Sequence, residues 1–155
     1  MPSVVLGGTF DPLHKGHAKL IDTAVKLAKG GRIVIGVTSD KMARKRFRMV
    51  MPFKIRVENL KRYFLRNYGF IPEIEKIDDA FGNTLTEDYD YIVVSHETES
   101  TAKEINKKRR EIGKKEIKIV VCEIVMAEDG KPISSTRIKE GKIDRYGRVI
   151  GGAKL

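Results

Sequence analysis

Five short apolar runs, at residues 3–6, 32–37, 71–77, 91–95 and 117–125, alternate along this chain with stretches of helical length. Strands that are apolar on both sides must be covered on both sides, and helices placed between successive strands provide the cover. The spacing therefore predicts an α/β, Rossmann-like domain, a five-stranded parallel sheet with helices on both faces. Helical patterns fall at 16–29, where Leu20, Ala24, Leu27 and Ala28 share a face, and from Pro52 to residue 67, where Phe53, Val57, Leu60 and Phe64 make an apolar stripe. Pro52 suits a first helical position. A charged helix is expected at 98–112 and a short one at 134–140, with Gly30-Gly31 and Gly113 as stops.

The chain has 155 residues, enough for one domain whose core needs no disulfide or metal. Residues 1–144 are expected to form that domain, and 145–155 a basic, glycine-containing tail with the composition of a disordered end. The one cysteine, Cys122, excludes an intrachain disulfide and a cysteine-cluster metal site, and fits a reduced, cytoplasmic setting. No apolar run approaches the ~20 residues of a membrane span. Residues 1–6 carry no basic segment before their apolar stretch and read as a first strand, not a signal peptide. The net charge of +10 calls for an anionic partner, either a polyanionic small substrate or a nucleic acid. Glutamine is absent and Lys, Arg and Glu abound, a surface composition typical of thermophiles. Thermophily accounts for the charge density, and attraction of substrate for part of its sign.

In an open parallel sheet, ligands bind beyond the carboxyl ends of the strands, where strand order reverses. Polar motifs follow strands at four places here. The first is Gly7-Gly8-Thr9-Phe10-Asp11-Pro12-Leu13-His14-Lys15-Gly16-His17. Its glycines admit a ligand close to the backbone, and a helix beginning near Gly16 offers free N–H groups to phosphate. His14 and His17, three apart, fall on one side of that helix and can hold a triphosphate. Ligation of a metal by Asp11, His14 and His17 is the alternative, but no fourth ligand lies near and the chain has only three histidines. The second motif, Ile133-Ser134-Ser135-Thr136-Arg137, reads either as an ordinary hydroxyl cap or as a phosphate site with an arginine fork. The run at 107–110 reads as a solvated charged face.

Taken together, the two end motifs resemble the HxGH nucleotidyltransferase superfamily, which includes phosphopantetheine, nicotinamide mononucleotide and FMN adenylyltransferases and the cytidylyltransferases. The middle of the chain resembles the archaeal and eukaryotic branch of phosphopantetheine adenylyltransferases. The residues that carry this are Gly36-Val37-Thr38-Ser39-Asp40-Lys41, Val93-Val94-Ser95-His96-Glu97-Thr98 with Ile105-Asn106, and Ala127-Glu128-Asp129-Gly130. Bacterial relatives carry an arginine-glycine motif where this chain has residues 95–98, so their contacts there do not transfer. Cytidylyltransferases usually carry arginine-threonine-glutamate where this chain has Ile-Ser-Ser-Thr-Arg.

The resemblance implies reversible transfer of an adenylyl group from ATP to 4′-phosphopantetheine, giving dephospho-coenzyme A and pyrophosphate in coenzyme A biosynthesis. Its implied roles are these. Gly8, Thr9, Phe10 and Asp11 form the nucleotide loop. His17 stabilises charge at the α-phosphate, and His14 grips the triphosphate. Lys41 orients the attacking phosphate, with Arg44, Lys45 and Arg46 as neighbouring candidates. Ser95, Glu97 and Thr98 border adenine and acceptor, and His96 is given no role. Ser134, Ser135, Thr136 and Arg137 bind the β- and γ-phosphates. Mg2+ is expected to arrive with ATP, held by phosphate oxygens and water, with no metal site on the protein. Two alternatives stand beside this reading. One is adenylyl or cytidylyl transfer to another phosphorylated acceptor, such as nicotinamide mononucleotide. The other is a nucleic-acid-binding module, against which the chain offers no RNA-binding aromatic motif and no zinc spacing. Nothing in the sequence sets an oligomeric state.

Overall fold

The computed structural model describes residues 1–150. In chain order its elements are β1 (Ser3–Gly8), α1 (Lys15–Ala28), β2 (Arg32–Thr38), α2 (Asp40–Ala43), α3 (Phe53–Tyr68), β3 (Glu73–Ile77), β4 (Tyr91–Val94), α4 (Glu99–Glu111), β5 (Lys118–Val121) and α5 (Ser135–Lys139). The strands form one sheet in the order β3-β2-β1-β4-β5, with every neighbouring pair parallel. The chain builds outward from β1 to β3, then crosses back to lay β4 against the other side of β1. The order therefore reverses between β1 and β4, and a cleft is expected at their carboxyl ends.

The helices cover both faces, each through an apolar stripe. Ile21, Ala24 and Ala28 of α1, with Leu60 and Phe64 of α3, pack on Val4, Leu6, Ile33 and Ile35. On the opposite face, Ala102 and Ile105 of α4 pack on Val5, Val34, Ile92 and Val94. Burying Leu60 and Phe64 completely contributes roughly 1.5–3 kcal/mol each. Alternate residues of β1, β2 and β4 thus feed opposite cores, the reason these strands read as unbroken apolar runs. Left-handed backbone stops α1 at Lys29 (φ 48°) and α3 at Gly69 (φ 78°), whose N–H returns to the last turn. Among the described residues, no helix is long and apolar enough to cross a membrane.

Several boundaries differ from the sequence expectation, each for a local reason. The sheet takes in Gly7 and Gly8, expected in a loop, because Gly36 and Val37 of β2 pair with them. β3 begins at Glu73 rather than residue 71, since Pro72 has no N–H to give a ladder. β5 stops at Val121 because its partner β4 ends at Val94, directly opposite. Pro52 is the N-cap of α3 and Phe53 its first helical residue. The four-residue α2 has no apolar period to announce it; Ser39 caps it, accepting from the Met42 N–H at 3.2 Å. Arg109 departs from the solvated face expected at 107–110. It is 1% exposed, and its guanidinium donates to the carbonyls of Thr84, Glu87 and Lys115 and to Asp88, tying the 78–90 segment to α4.

Beyond β5, a small third cluster of Ala127, Ile133 and Ile143 supports α5. Of the expected tail, residues 145–150 make contacts. Val149 bridges Ile143, and the Arg145 carbonyl accepts from the Lys15 N–H at 3.1 Å. Residues 151–155 lie outside the described residues.

Candidate active site

The loop after β1 is organised by a cap made of two imidazoles. His14 is the N-cap of α1, and its Nδ1 accepts from the N–H groups of Gly16 (3.0 Å) and His17 (3.4 Å). His17 reciprocates: its Nδ1 accepts from the His14 N–H at 3.3 Å, and the rings stack with centroids 3.8 Å apart. A capping box thus fills Nδ1 on both rings. In a neutral imidazole the other nitrogen then carries the hydrogen, so each ring has an Nε2–H left as a donor. Removal of these half-buried rings from water pushes the His14 pKa down to about 4. The same effect, with repulsion from His14, pushes His17 down to about 3. Both rings are therefore neutral donors at neutral pH. Gly16 is required by this cap: a Cβ there would stand 2.7 Å from His14 Cε1. Phe10, buried with φ 55°, packs its ring 5.0 Å from His17, and a Cβ at Gly8 would press on the Phe10 ring at 3.2 Å.

A residue that the sequence reading missed holds the loop in place. Arg56 of α3 is 0% exposed and donates to four acceptors: the Met51 carbonyl (2.8 Å), the Thr9 carbonyl (3.1 Å), Thr38 Oγ1 (3.2 Å) and Asp40 Oδ1 (2.9 Å). It joins the ends of β1 and β2, the start of α2 and the start of α3 in one buried knot. The Arg56 guanidinium, followed by the Phe53 N–H, holds the Asp40 carboxyl below its ordinary range. Thr38 in turn donates to Thr9 Oγ1 at 3.0 Å. The available signal was position: residue 56 falls on the apolar stripe of 53, 57, 60 and 64, where a charge must find partners. Asp11 is also structural in its contacts. Buried at 4% exposure, it accepts from the Met51 N–H (2.7 Å) and Lys139 Nζ (3.0 Å), and it lines neither cavity described next.

Two cavities open at the carboxyl end of the sheet. One, of about 220 Å3, is lined by Gly8, Thr9, Phe10, His14, His17, Ser95, Glu97, Thr98, Ser134 and Ser135. Ten of the expected site residues are thereby brought together from three segments of the chain. The other, of about 280 Å3, is mostly apolar and runs along the α4 face between Val34, Ile92, Phe81 and Ile105. Gly7, Gly8, Thr9, Arg46 and Thr98 line both, so the cavities meet over the end of β1. Besides Asp11, three expected site residues stand apart. Lys41 is exposed on α2 and lines neither cavity, and neither does exposed Thr136. Arg137 is held by Asp129 and by the Pro132 carbonyl at 3.0 Å, while Ser134 caps α5 by accepting from the Arg137 N–H at 3.2 Å. Among the described residues, no three His, Cys, Asp or Glu side chains are grouped as a metal site.

Residues 5–141 match the model of the cytidylyltransferase-like family. A protein of Archaeoglobus fulgidus named phosphopantetheine adenylyltransferase is 64% identical over 148 residues, covering 95% of this chain and 99% of the relative. A Methanosarcina mazei protein of the same name is 48% identical over 153 residues, covering 96% and 97%. Among solved structures, a protein of unknown function from Archaeoglobus fulgidus superposes with a TM-score of 0.76 at 53% identity, covering 85% of this chain and 99% of the other.

Proposed function

The chain belongs to the cytidylyltransferase-like family and groups there with archaeal phosphopantetheine adenylyltransferases, and from that premise we propose that it transfers an adenylyl group from ATP to 4′-phosphopantetheine. The products are dephospho-coenzyme A and pyrophosphate, a step of coenzyme A biosynthesis in the cytoplasm. The observation that carries this reading is the meeting of two unlike cavities at Gly7, Gly8 and Thr9. A cavity that presents imidazole and hydroxyl groups beside a helix N-terminus suits a nucleotide, and a more apolar groove suits a long amide-bearing arm. Transfer joins what the two hold, so the reacting atoms belong where they meet.

The chemistry needs no strong base, because a phosphate monoester is already largely dianionic near pH 7, its second pKa being about 6. An acceptor oxygen attacks the α-phosphorus of ATP in line. A P–O bond forms to the acceptor, the bond to the β-phosphate oxygen breaks, and pyrophosphate leaves with that electron pair. Catalysis then reduces to positioning and stabilisation of charge. His17 Nε2–H donates to the α-phosphate as negative charge grows there, with Thr9 and the Gly8 backbone beside it. His14 Nε2–H, Ser134, Ser135 and Thr136 take the β- and γ-phosphates, and Arg137 joins them on leaving Asp129. Ser95, Glu97 and Thr98 border the adenine. The acceptor phosphate takes its cation from the basic segment 41–46. Mg2+ enters as part of the MgATP substrate, which fits a cavity whose lining offers two separate carboxylates, Glu97 and Glu123, and no grouped set of metal ligands.

The test is product identity. With MgATP and 4′-phosphopantetheine, the protein is expected to release pyrophosphate and dephospho-coenzyme A in equal amounts, read by mass spectrometry. Dephospho-coenzyme A with pyrophosphate should return ATP. Release of phosphate, or no product in either direction, would refute adenylyl transfer.

A further inference from the structure

We infer that Arg46 is the cation that holds the acceptor phosphate against the α-phosphate, and that Glu97 is the partner it leaves to do so. The inference rests on the adenylyl transfer proposed above. That reaction brings two anions into contact, and their repulsion requires a positive group at the point of contact. Of the five residues that line both cavities, Arg46 alone is charged. Lys41, Arg44 and Lys45 share its segment and its exposure, but they line neither cavity.

The backbone explains the difference. Phe47, 7% exposed, anchors the end of the segment, and its N–H returns to the Ala43 carbonyl at 3.0 Å. The Arg46 guanidinium lies over the Phe47 ring, 5.2 Å from its centroid. Two basic residues, Arg46 and Arg48, flank this anchor; Arg46 lines both cavities and Arg48 lines neither, so it is the Arg46 fork that reaches the junction. There its Nη2 meets Glu97 Oε2 at 3.4 Å, across the gap between the α2 and α4 loops. Both side chains are more than half exposed, at 59% and 65%. An ion pair so wet contributes little and is readily exchanged. A phosphate presents two oxygens to the planar guanidinium fork and is the stronger partner. Glu97 therefore competes with substrate and also keeps the guanidinium in place until substrate arrives.

The experiment compares steady-state kinetics of wild type, Arg46→Ala, Arg46→Lys and Glu97→Gln with MgATP and 4′-phosphopantetheine. Inhibition by unphosphorylated pantetheine is measured alongside. Arg46→Ala should lose about 10²-fold in kcat/KM for the acceptor, the scale of one charge-stabilising donor. Its apparent KM for MgATP should change far less, and its inhibition by pantetheine, which has no phosphate to hold, should not change. Arg46→Lys should recover activity in part, and Glu97→Gln should lower the acceptor KM. A loss that falls equally on pantetheine inhibition would make Arg46 structural and overturn the inference. So would near-wild-type turnover in Arg46→Ala, or a larger loss from Lys41→Ala. A wild-type protein inactive with 4′-phosphopantetheine removes the proposed function and this inference with it. Activity in wild type that survives Arg46→Ala removes the inference alone.

Discussion

His14 and His17 use Nδ1 to close the cap of α1, which leaves two neutral Nε2–H groups fixed beside a helix N-terminus. A neutral donor there has no counter-ion to lose before it meets a phosphate. His17→Ala should lower kcat about 10²–10³-fold, the usual loss for one preorganised donor. The cap costs less: roughly 1 kcal/mol of stability, read as a small fall in melting temperature. A folded variant with wild-type turnover would contradict the assignment. The same rings set an acid limit. Their folded pKa values, about 4 and about 3, lie below the ordinary 6.5. Between those values the unfolded chain binds more protons than the folded one, so stability falls as pH falls from 6.5 toward about 3. Asp40 and Asp88, held low by arginines, withdraw their contributions only below the ordinary carboxylate range. A melting-temperature profile should therefore decline already between pH 6.5 and 5. Replacing both histidines with asparagine should flatten that limb, and an unchanged slope in the double variant would contradict the coupling.

At the scale of elements, the site is a set of loops held at fixed separations by the core beneath them. Arg56 does most of this for β1, β2 and α2, through four hydrogen bonds from a fully buried guanidinium. Arg56→Ala leaves Asp40, Thr38 and two carbonyls without their partner. It should cost about 3–5 kcal/mol, as breaking one side of a buried pair does. Chemical denaturation measures this, and a loss below 1 kcal/mol would contradict it. The apolar periods of the strands and of α1, α3 and α4 made the architecture legible in the sequence. The end motifs likewise marked the loop at residues 7–17 and the cap at 134–135. What escaped were contacts between elements. Arg109 looks like a surface charge until the carbonyls that surround it are known, Arg56 shows its burial by its place on the α3 stripe but not its partners, and nothing local to residues 41–46 tells which basic side chain faces the cleft. Asp11 sits inside the motif read as binding phosphate, yet its carboxylate clamps Met51 and Lys139, which are distant in sequence.

For the molecule as a whole, the carboxyl end of one sheet offers two unlike cavities, one for each substrate of the proposed transfer. The net charge of +10 draws anions toward it without choosing among them. Choice falls to the apolar cavity on the α4 face, whose walls suit the pantetheine arm better than a nucleoside ribose with its hydroxyls. A charged nicotinamide ring or a flavin is expected to fit that largely apolar wall less well. The most direct measurement is kcat/KM for 4′-phosphopantetheine, nicotinamide mononucleotide and FMN at saturating MgATP, followed by pyrophosphate release. The account predicts a preference for 4′-phosphopantetheine of at least about 10²-fold, or about 2.7 kcal/mol of transition-state stabilisation. Equal or faster turnover of nicotinamide mononucleotide would contradict it, leaving the fold and the adenylyl chemistry but not the acceptor.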